Sequence, residues 1–341
     1  MDSMALYYPE GHQKHFLYAH PERPERLEEI KKGLMEIGLW DDCPRVSPLE
    51  LDRNLLESVH EQEYLKILER ASRQAKMLDP DTFTTIESWQ LALNAAGGGV
   101  QIADLVWERI TGTGFALTRP PGHHATRNRG MGFCLINNIA IAAEYLLQEK
   151  GAEKIAILDL DLHHGNGTQD IFWERPDLCY ISIHQAPFYP GTGALYETGS
   201  GQGEGTTLNL PIPRLSGDNA YMTLISDIVL PYLEEQSADM LLVSYGFDTH
   251  WKDPLGSMQV SAGCIYEIMK DLKEWVGEYC SGRLAVFLEG GYDLEAGWAC
   301  GQAVGAALSN EKWEDSLGSS PTGETDDWRE TLSEAQHLLE F

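Results

Sequence analysis

At 341 residues and 43% hydrophobic content, the chain can bury a large core, as one big α/β domain or two smaller ones. A formal net charge of −28, from 25 Lys and Arg against 53 Asp and Glu, argues against direct contact with nucleic acid or an anionic membrane and favours a cationic substrate or partner. No apolar run approaches the ~20 residues that cross a bilayer, the first residues carry no basic-then-apolar signal, and six scattered cysteines form no Cys-x-x-Cys pair, so a reducing, cytoplasmic setting without disulfides or a structural zinc knot is expected.

In chain order, residues 5–8 read as a first strand, and a loop rich in His and Tyr follows over 9–20. That loop would shape a pocket rim or a contact between copies in a homo-oligomer. Pro24 lies near the start of a helix that Gly38 ends. Residues 52–71 and 88–109 carry apolar positions at helical spacing, and the second holds a small-residue patch, 95–99, suited to close packing. Strands are expected at 114–118, 155–158, 178–183, 206–210, 240–245 and 284–288, with helices over 138–148, 218–234, 261–279 and 298–308. The strands are continuous apolar runs separated by helices, which predicts a mainly parallel sheet covered on both faces, a three-layer α/β/α domain over 1–308. After Leu308 the composition turns to Gly, Ser, Pro, Thr and acids. Residues 309–328 read as a linker, and 329–341 as a short amphipathic helix that docks or frays.

Chemistry in an open parallel sheet gathers where strands end, at their carboxyl edge. The run Ile155-Ala-Ile-Leu-Asp-Leu-Asp-Leu-His-His-Gly-Asn-Gly-Thr168 places Asp159, Asp161, His163, His164 and Asn166 directly after a buried strand. On an extended chain Asp159, Asp161 and His163 would share one side. Two carboxylates and an imidazole suit a divalent metal; the plainer alternative, a polar turn whose Asp caps the next helix, is disfavoured by three such groups on one face after a buried strand. Other strand ends add Arg119-Pro-Pro-Gly-His-His-Ala125, Gly246-Phe-Asp-Thr-His250 and Glu289-Gly-Gly-Tyr-Asp293. Singly, each has an ordinary explanation: a solvated histidine pair, a turn-capping Asp248, a packed Tyr292. Recurrence at equivalent positions favours one site.

Such groups support metal-assisted amide hydrolysis. Asp161, His163 and Asp248 would hold the ion and leave room for water and a carbonyl oxygen. One of the paired histidines, His123 and His124, would move the proton, and Tyr292 would donate to the developing oxyanion. Asp159 and Asn166 would orient the imidazoles. There is no Gly-x-Gly-x-x-Gly fingerprint and no Walker loop, which disfavours redox and nucleotide chemistry.

Residues 119–125, Gly132-Phe-Cys-Leu-Ile-Asn-Asn138, 159–168, Pro190-Gly-Thr-Gly193, Gly246-Phe-Asp248 and Glu289-Gly-Gly-Tyr292 form a series that resembles the ordered motifs of the histone deacetylase family, from about His20 to Leu308. That family includes bacterial deacetylase-like amidohydrolases and acetylpolyamine amidohydrolases. The resemblance implies the arginase/deacetylase fold and a zinc-dependent deacylase, with Asp161, His163 and Asp248 as zinc ligands and iron(II) as the alternative metal. It implies His123 and His124 as the catalytic pair, backed by Asp159 and Asn166, with His124 the principal base and acid and Tyr292 polarising the carbonyl. Gly132, Phe133 and Tyr189 match tunnel positions, Gly291 lies beside the tunnel floor, and Arg26 resembles the arginine of an internal acetate channel. Potassium sites are implied at Asp159, Asp161, His163, Ser182 and Ile183, and at Phe172, Arg175 and Leu178.

Three details bear on the subgroup. Asn166 rather than Asp backs His124, as in class II-like members. Tyr189 stands where many relatives have Phe. Leu255, in Asp253-Pro-Leu-Gly256, stands where polyamine-specific relatives carry an acidic gatekeeper. Asp81 resembles a rim residue that fixes the substrate backbone, with helix capping as the competing reading. The expected substrate is an acylated lysine on a protein or peptide. An acylated polyamine or other small amine is the alternative, and a catalytically silent acyl-lysine binder ranks below both because every motif residue is present.

Overall fold

The computed structural model describes residues 3–339. Among the described residues eight strands form one sheet: β1 (Met4–Tyr7), β2 (Arg45–Val46), β3 (Thr113–Ala116), β4 (Ile155–Asp159), β5 (Leu178–Gln185), β6 (Thr207–Ile212), β7 (Met240–Tyr245) and β8 (Leu284–Leu288). Their order is β2-β1-β3-β8-β7-β4-β5-β6, and every pairing is parallel. Continuous apolar strands demand cover on both faces. The sheet accordingly divides two cores. Leu158, Ile181, Val243 and Val286 face the helices Glu25–Glu36, Ala262–Tyr279 and Leu294–Leu308. Ile157, Tyr180, Leu242 and Phe287 face the helices Ser88–Trp107 and Asn138–Glu149. This is the three-layer arrangement expected.

Local differences have physical causes. The helical run expected over 52–71 is two helices, Arg53–Val59 and Gln62–Arg73. Between them His60 is extended and buried, its Nδ1 donating to the Thr126 carbonyl and its Nε2 accepting from Asn137 N–H. Tertiary hydrogen bonds there outweigh helical periodicity. The 218–234 helix contains a π turn at Ile225–Val229. The last core helix starts at Leu294, earlier than expected, because the Asp293 side chain caps it by accepting from Ala296 N–H. The edge strand β2 is only two residues long and has no sequence signal.

The segment after Leu308 has little regular structure but is tied down. Gly318 accepts from the Trp251 indole at 3.0 Å, Glu324 accepts from Asn219 N–H at 2.9 Å, and Trp328 is fully buried. The helix Arg329–Leu338 then docks, with the Thr331 hydroxyl donating to the Pro211 carbonyl.

The small-residue patch 95–99 does the packing its composition suggests. A Cβ on Gly97 would sit 2.2 Å from the Leu49 carbonyl oxygen, one on Gly98 2.3 Å from the Tyr7 ring, and one on Gly99 2.5 Å from Phe287. Tyr7 cannot retreat, since it is 1% exposed and its hydroxyl donates to Asn94 O. Gly98→Ala should therefore cost about 1–3 kcal/mol despite the better helix propensity of Ala. Gly277→Ala, in another helix where a Cβ meets nothing within 4 Å, should instead gain about 0.5–1 kcal/mol. Denaturant melts of the two variants check the contrast.

Candidate active site

Strands β3, β8, β7 and β4 are consecutive neighbours, so the loops at their carboxyl ends adjoin. β4 ends at Asp159, and the chain then turns instead of continuing extended. Asp159 Oδ1 accepts from Asp161 N–H at 3.2 Å, and Asp161 Oδ1 from His163 N–H at 2.9 Å. The expected common face of Asp159, Asp161 and His163 is thus corrected: Asp161 and His163 converge, while Asp159 turns back beneath His123.

Asp161, His163 and Asp248 offer ligand atoms within 4.8 Å of one another. His163 Nδ1 lies 3.2 Å from both Asp161 Oδ1 and Asp248 Oδ2. Both carboxylates are fully buried. Backbone N–H groups hold them, Gly290 N donating to Asp161 Oδ2 and Leu162 N to Asp248 Oδ1. Asp248 Oδ2 is buried without a well-aligned hydrogen bond. Burial and the Asp161 charge push the Asp248 pKa up, whereas His123 and His163 overcome burial and hold Asp161 well down. The same carboxylates outweigh burial at His163, so that its pKa moves up to about 9. Two oxygens and one nitrogen around an unsatisfied anionic point fit a divalent metal.

The two histidines lie beside this point, 4.0 Å apart by ring centroid. His123 Nδ1 donates to Asp159 Oδ2 at 3.1 Å, and its Nε2 is 3.6 Å from Asp161 Oδ1. Burial alone would lower its pKa, but Asp161 and Asp159 outweigh that and push it up to about 10. His124 is the opposite case. Burial, then the charges of His123 and His163, hold its pKa well below 6.5. Its Nδ1 meets Asn166 Oδ1 at 2.8 Å; an amide oxygen only accepts, so the proton resides on Nδ1 and Nε2 keeps its lone pair. Tyr292 completes the cluster. It is 7% exposed, and burial keeps its phenol protonated, its pKa being well above 10.

Residues 20–308 match the model of the histone deacetylase domain. The chain belongs to the histone deacetylase family. It is 42% identical over 279 residues to a "Probable deacetylase" of Archaeoglobus fulgidus, covering 81% of this chain and 77% of that one. It is 40% identical over 304 residues to "Histone deacetylase 14, chloroplastic" of Arabidopsis thaliana, with 84% and 71% covered. The solved "HDA15 HD domain" superposes with a TM-score of 0.90 at 35% identity, covering 99% of this chain and 95% of that chain. The fold is therefore the arginase/deacetylase type of that family, and the chain is a hydrolase acting on acetylated amides.

On this histone deacetylase scaffold, the expected tunnel residues gather around the cluster. Gly132 and Phe133 both have left-handed backbones, φ 54° and 70°. A Cβ on Gly132 would lie 2.4 Å from His124 Cδ2 and 3.1 Å from the Tyr189 hydroxyl, so only glycine leaves that wall open. The Phe133 ring meets Tyr292 edge-on at 5.7 Å, and the Tyr189 ring meets His124 at 5.2 Å. Phe188, unnoticed in sequence, stacks on His163 at 5.5 Å. Leu255 and Tyr292 share a support, the buried Asp253. Its Oδ1 accepts from Leu255 N–H at 2.9 Å and its Oδ2 from Tyr292 N–H at 2.6 Å. Asp81 lies in an exposed turn where its carbonyl accepts from His20 Nε2 at 3.1 Å; it caps no helix, since the next begins at Ser88. Glu289 was quoted only as part of a motif, yet its Oε2 accepts from Gly122 and His123 N–H and so braces the histidine loop.

Beneath this floor runs a buried charge cluster. Arg26 donates to the carbonyls of Gly291 and Glu289 and to Glu22 Oε1, and its guanidinium lies over the Tyr292 ring at 4.9 Å. Arg119, a second residue the sequence reading left without a role, binds Glu22 from the other side at 2.6 and 3.0 Å. Of the residues implied for potassium, Ser182 pairs with Asp159 across β5 and β4, with Ile183 beside it in β5. Phe172, Arg175 and Leu178 lie at the far end of β5, with the Phe172 carbonyl accepting from Arg175 N–H.

Burial would raise the Glu22 pKa, but Arg119 and Arg26 bring it down to about 2. A folded-state pKa below the unfolded one adds stability that is present above about pH 4.5 and lost as pH falls towards 2. Glu22→Gln should cost about 3–5 kcal/mol at neutral pH, because two buried guanidiniums lose their counter-charge. Stability of this variant should also fall less steeply between pH 4.5 and 2, which urea titrations across that range would measure.

Proposed function

We propose that the chain is a zinc-dependent deacylase of acylated lysine side chains in proteins or peptides. One observation carries this reading: Asp161, His163 and Asp248 close to within 4.8 Å of one another beside two histidines, His123 bonded to Asp159 and His124 to Asn166. Bound zinc would polarise the substrate carbonyl and acidify a water molecule. His124, neutral with its proton on Nδ1, takes the proton of the attacking water at Nε2 and passes it to the departing amine. His123, its Nδ1 donating to Asp159, is oriented beside the carbonyl as it becomes tetrahedral. Tyr292 donates its phenolic proton in a hydrogen bond to that oxygen. Gly132, Phe133, Tyr189, Leu255 and Gly291 bound the slot for the acyl-lysine chain, and Asp81 meets the substrate backbone at the rim. Arg26 lines an internal path for the released carboxylate. Six buried free thiols suit a reducing compartment such as the cytoplasm. We further assign potassium to the oxygen-rich surroundings of Asp159, Asp161, His163, Ser182 and Ile183, and to the Phe172, Arg175 and Leu178 carbonyls, on the oxygen preference of hard cations.

Leu255 favours lysine over polyamines, because an apolar residue at this gate offers no counter-charge to a second ammonium. The decisive comparison is zinc-loaded protein on acetyl-lysine peptides and on acetylspermidine. Faster peptide turnover, falling about 10²–10³-fold in kcat with KM little changed in Tyr292→Phe, is expected; inertness toward every acylated amine would overturn the reading.

The neutral partner of His124 sets the acid limb of the pH profile. A carboxylate behind the ring would stabilise its protonated form and raise its pKa. Asn166→Asp should therefore shift the acid limb of kcat/KM to higher pH, activity being lost sooner on acidification. A superimposable profile would refute the assigned role.

A further inference from the structure

The sheet has a second functional end. At the amino edges of β3 and β8, opposite the catalytic loops, a cavity of about 380 Å³ opens between the helix ends at Trp107, Tyr279 and Leu308. Its lining includes Arg109, Thr111, Lys273, Ser281 and Arg283 and no acidic residue. That is against the grain of a chain with 53 acids and 25 bases.

Lys273 has an evident structural task, since its ammonium donates to the carbonyl of Leu308 at the end of a helix. The two arginines do not. Arg283 lies over the Trp107 ring, its Cζ 3.9 Å from the centroid; its guanidinium makes a marginal 3.5 Å contact to the Asp239 carbonyl, and its buried Nε has no partner among the described residues. Thr111 is 5% exposed, and its buried hydroxyl is likewise without a partner. Burial and the like charge of Arg109 both act against the Arg283 guanidinium. The carboxylates whose charge reaches Arg283 are engaged elsewhere: Glu108 pairs with Lys150 at 2.8 Å, and Asp239 accepts from Glu153 and Lys154 N–H at 2.7 and 3.1 Å. Two guanidiniums and an orphaned hydroxyl lining one cavity suit an anion with several oxygens.

We propose that this cavity is a binding site for a small, multiply charged anion bearing phosphate or carboxylate groups, separate from the catalytic pocket. Arg109 and Arg283 grip its oxygens as planar forks, and the Thr111 hydroxyl donates a further bond. The ligand ties the turn at Ser281–Arg283 to the loop entering β3, and so stabilises the two strands whose far ends carry the histidine pair and Tyr292.

Calorimetry and thermal melts of the full chain test this with two weakly chelating probes, fructose 1,6-bisphosphate and tricarballylate, at ionic strength matched with sodium chloride. Saturable binding of one bisphosphate per chain and a raised melting temperature are expected. Arg109→Gln and Arg283→Gln should each weaken binding at least about tenfold, the loss of one charge-assisted hydrogen bond. Lys312→Gln, which removes the same charge from an exposed position, should not. Tricarballylate binding with the same sensitivity would extend the ligand class to carboxylates, and bisphosphate binding alone would restrict it to phosphates. No saturable binding of either probe, or binding that both arginine variants leave intact, overturns the proposal. If Arg283→Gln loses stability with its ring contact, Arg109→Gln, exposed and without a side-chain bond, carries the test alone.

Discussion

Two buried carboxylates facing one imidazole nitrogen set the terms for the rest of the molecule. Asp161 and Asp248 repel each other in a medium that screens poorly, so each must be surrounded by donors and by positive charge. The backbone supplies the donors only because glycines let it come close. A Cβ on Gly246 would fall 1.9 Å from Asp161 Oδ2, and one on Gly290 would fall 2.4 Å from Asp248 Oδ2. The glycines of the two motifs therefore make room for the carboxylates, Gly290 also donating to Asp161, and the strand order that makes β4, β7 and β8 neighbours brings them together.

Positive charge is provided in layers. The carboxylates push the His123 pKa up, and its proximity helps hold the His124 pKa down. Deeper down, Arg26 and Arg119 share Glu22, and Arg26 reaches up to the carbonyls of Glu289 and Gly291. Glu289 in turn fixes Gly122 and His123. Floor, histidine loop and tyrosine loop are thus one hydrogen-bonded unit. A change in the buried cluster is transmitted to the reacting groups through backbone positions, without any contact to substrate.

Much of this was readable in the amino-acid order, for a physical reason. Buried parallel strands are unbroken apolar runs, so Met240–Tyr245 and Leu284–Leu288 match their expected bounds, and the polar residues that interrupt them announce the catalytic edge. What periodicity could not supply were interactions decided by distant partners. His60 breaks a helix because Thr126 and Asn137 bind its ring. Glu289 and Arg119 were visible as charged residues at strand ends, and Asp253 as a neighbour of Leu255, but their roles depend on backbone N–H groups and on Glu22, far away in sequence. Asp159 left the expected metal-facing row because side-chain caps turn the chain immediately after β4.

The two ends of the sheet follow one electrostatic rule with opposite signs. Parallel strands deliver loops to both edges, and whichever charge accumulates there must be answered. At the carboxyl edge, carboxylates collect around a point that suits a cation. At the amino edge, Arg109 and Arg283 collect around a point that suits an anion, while the acids nearby are committed to Lys150 and to backbone N–H groups. Strands β3 and β8 belong to both places. Rigidity gained at one edge therefore reaches the other through a short covalent path, four and five residues of buried strand.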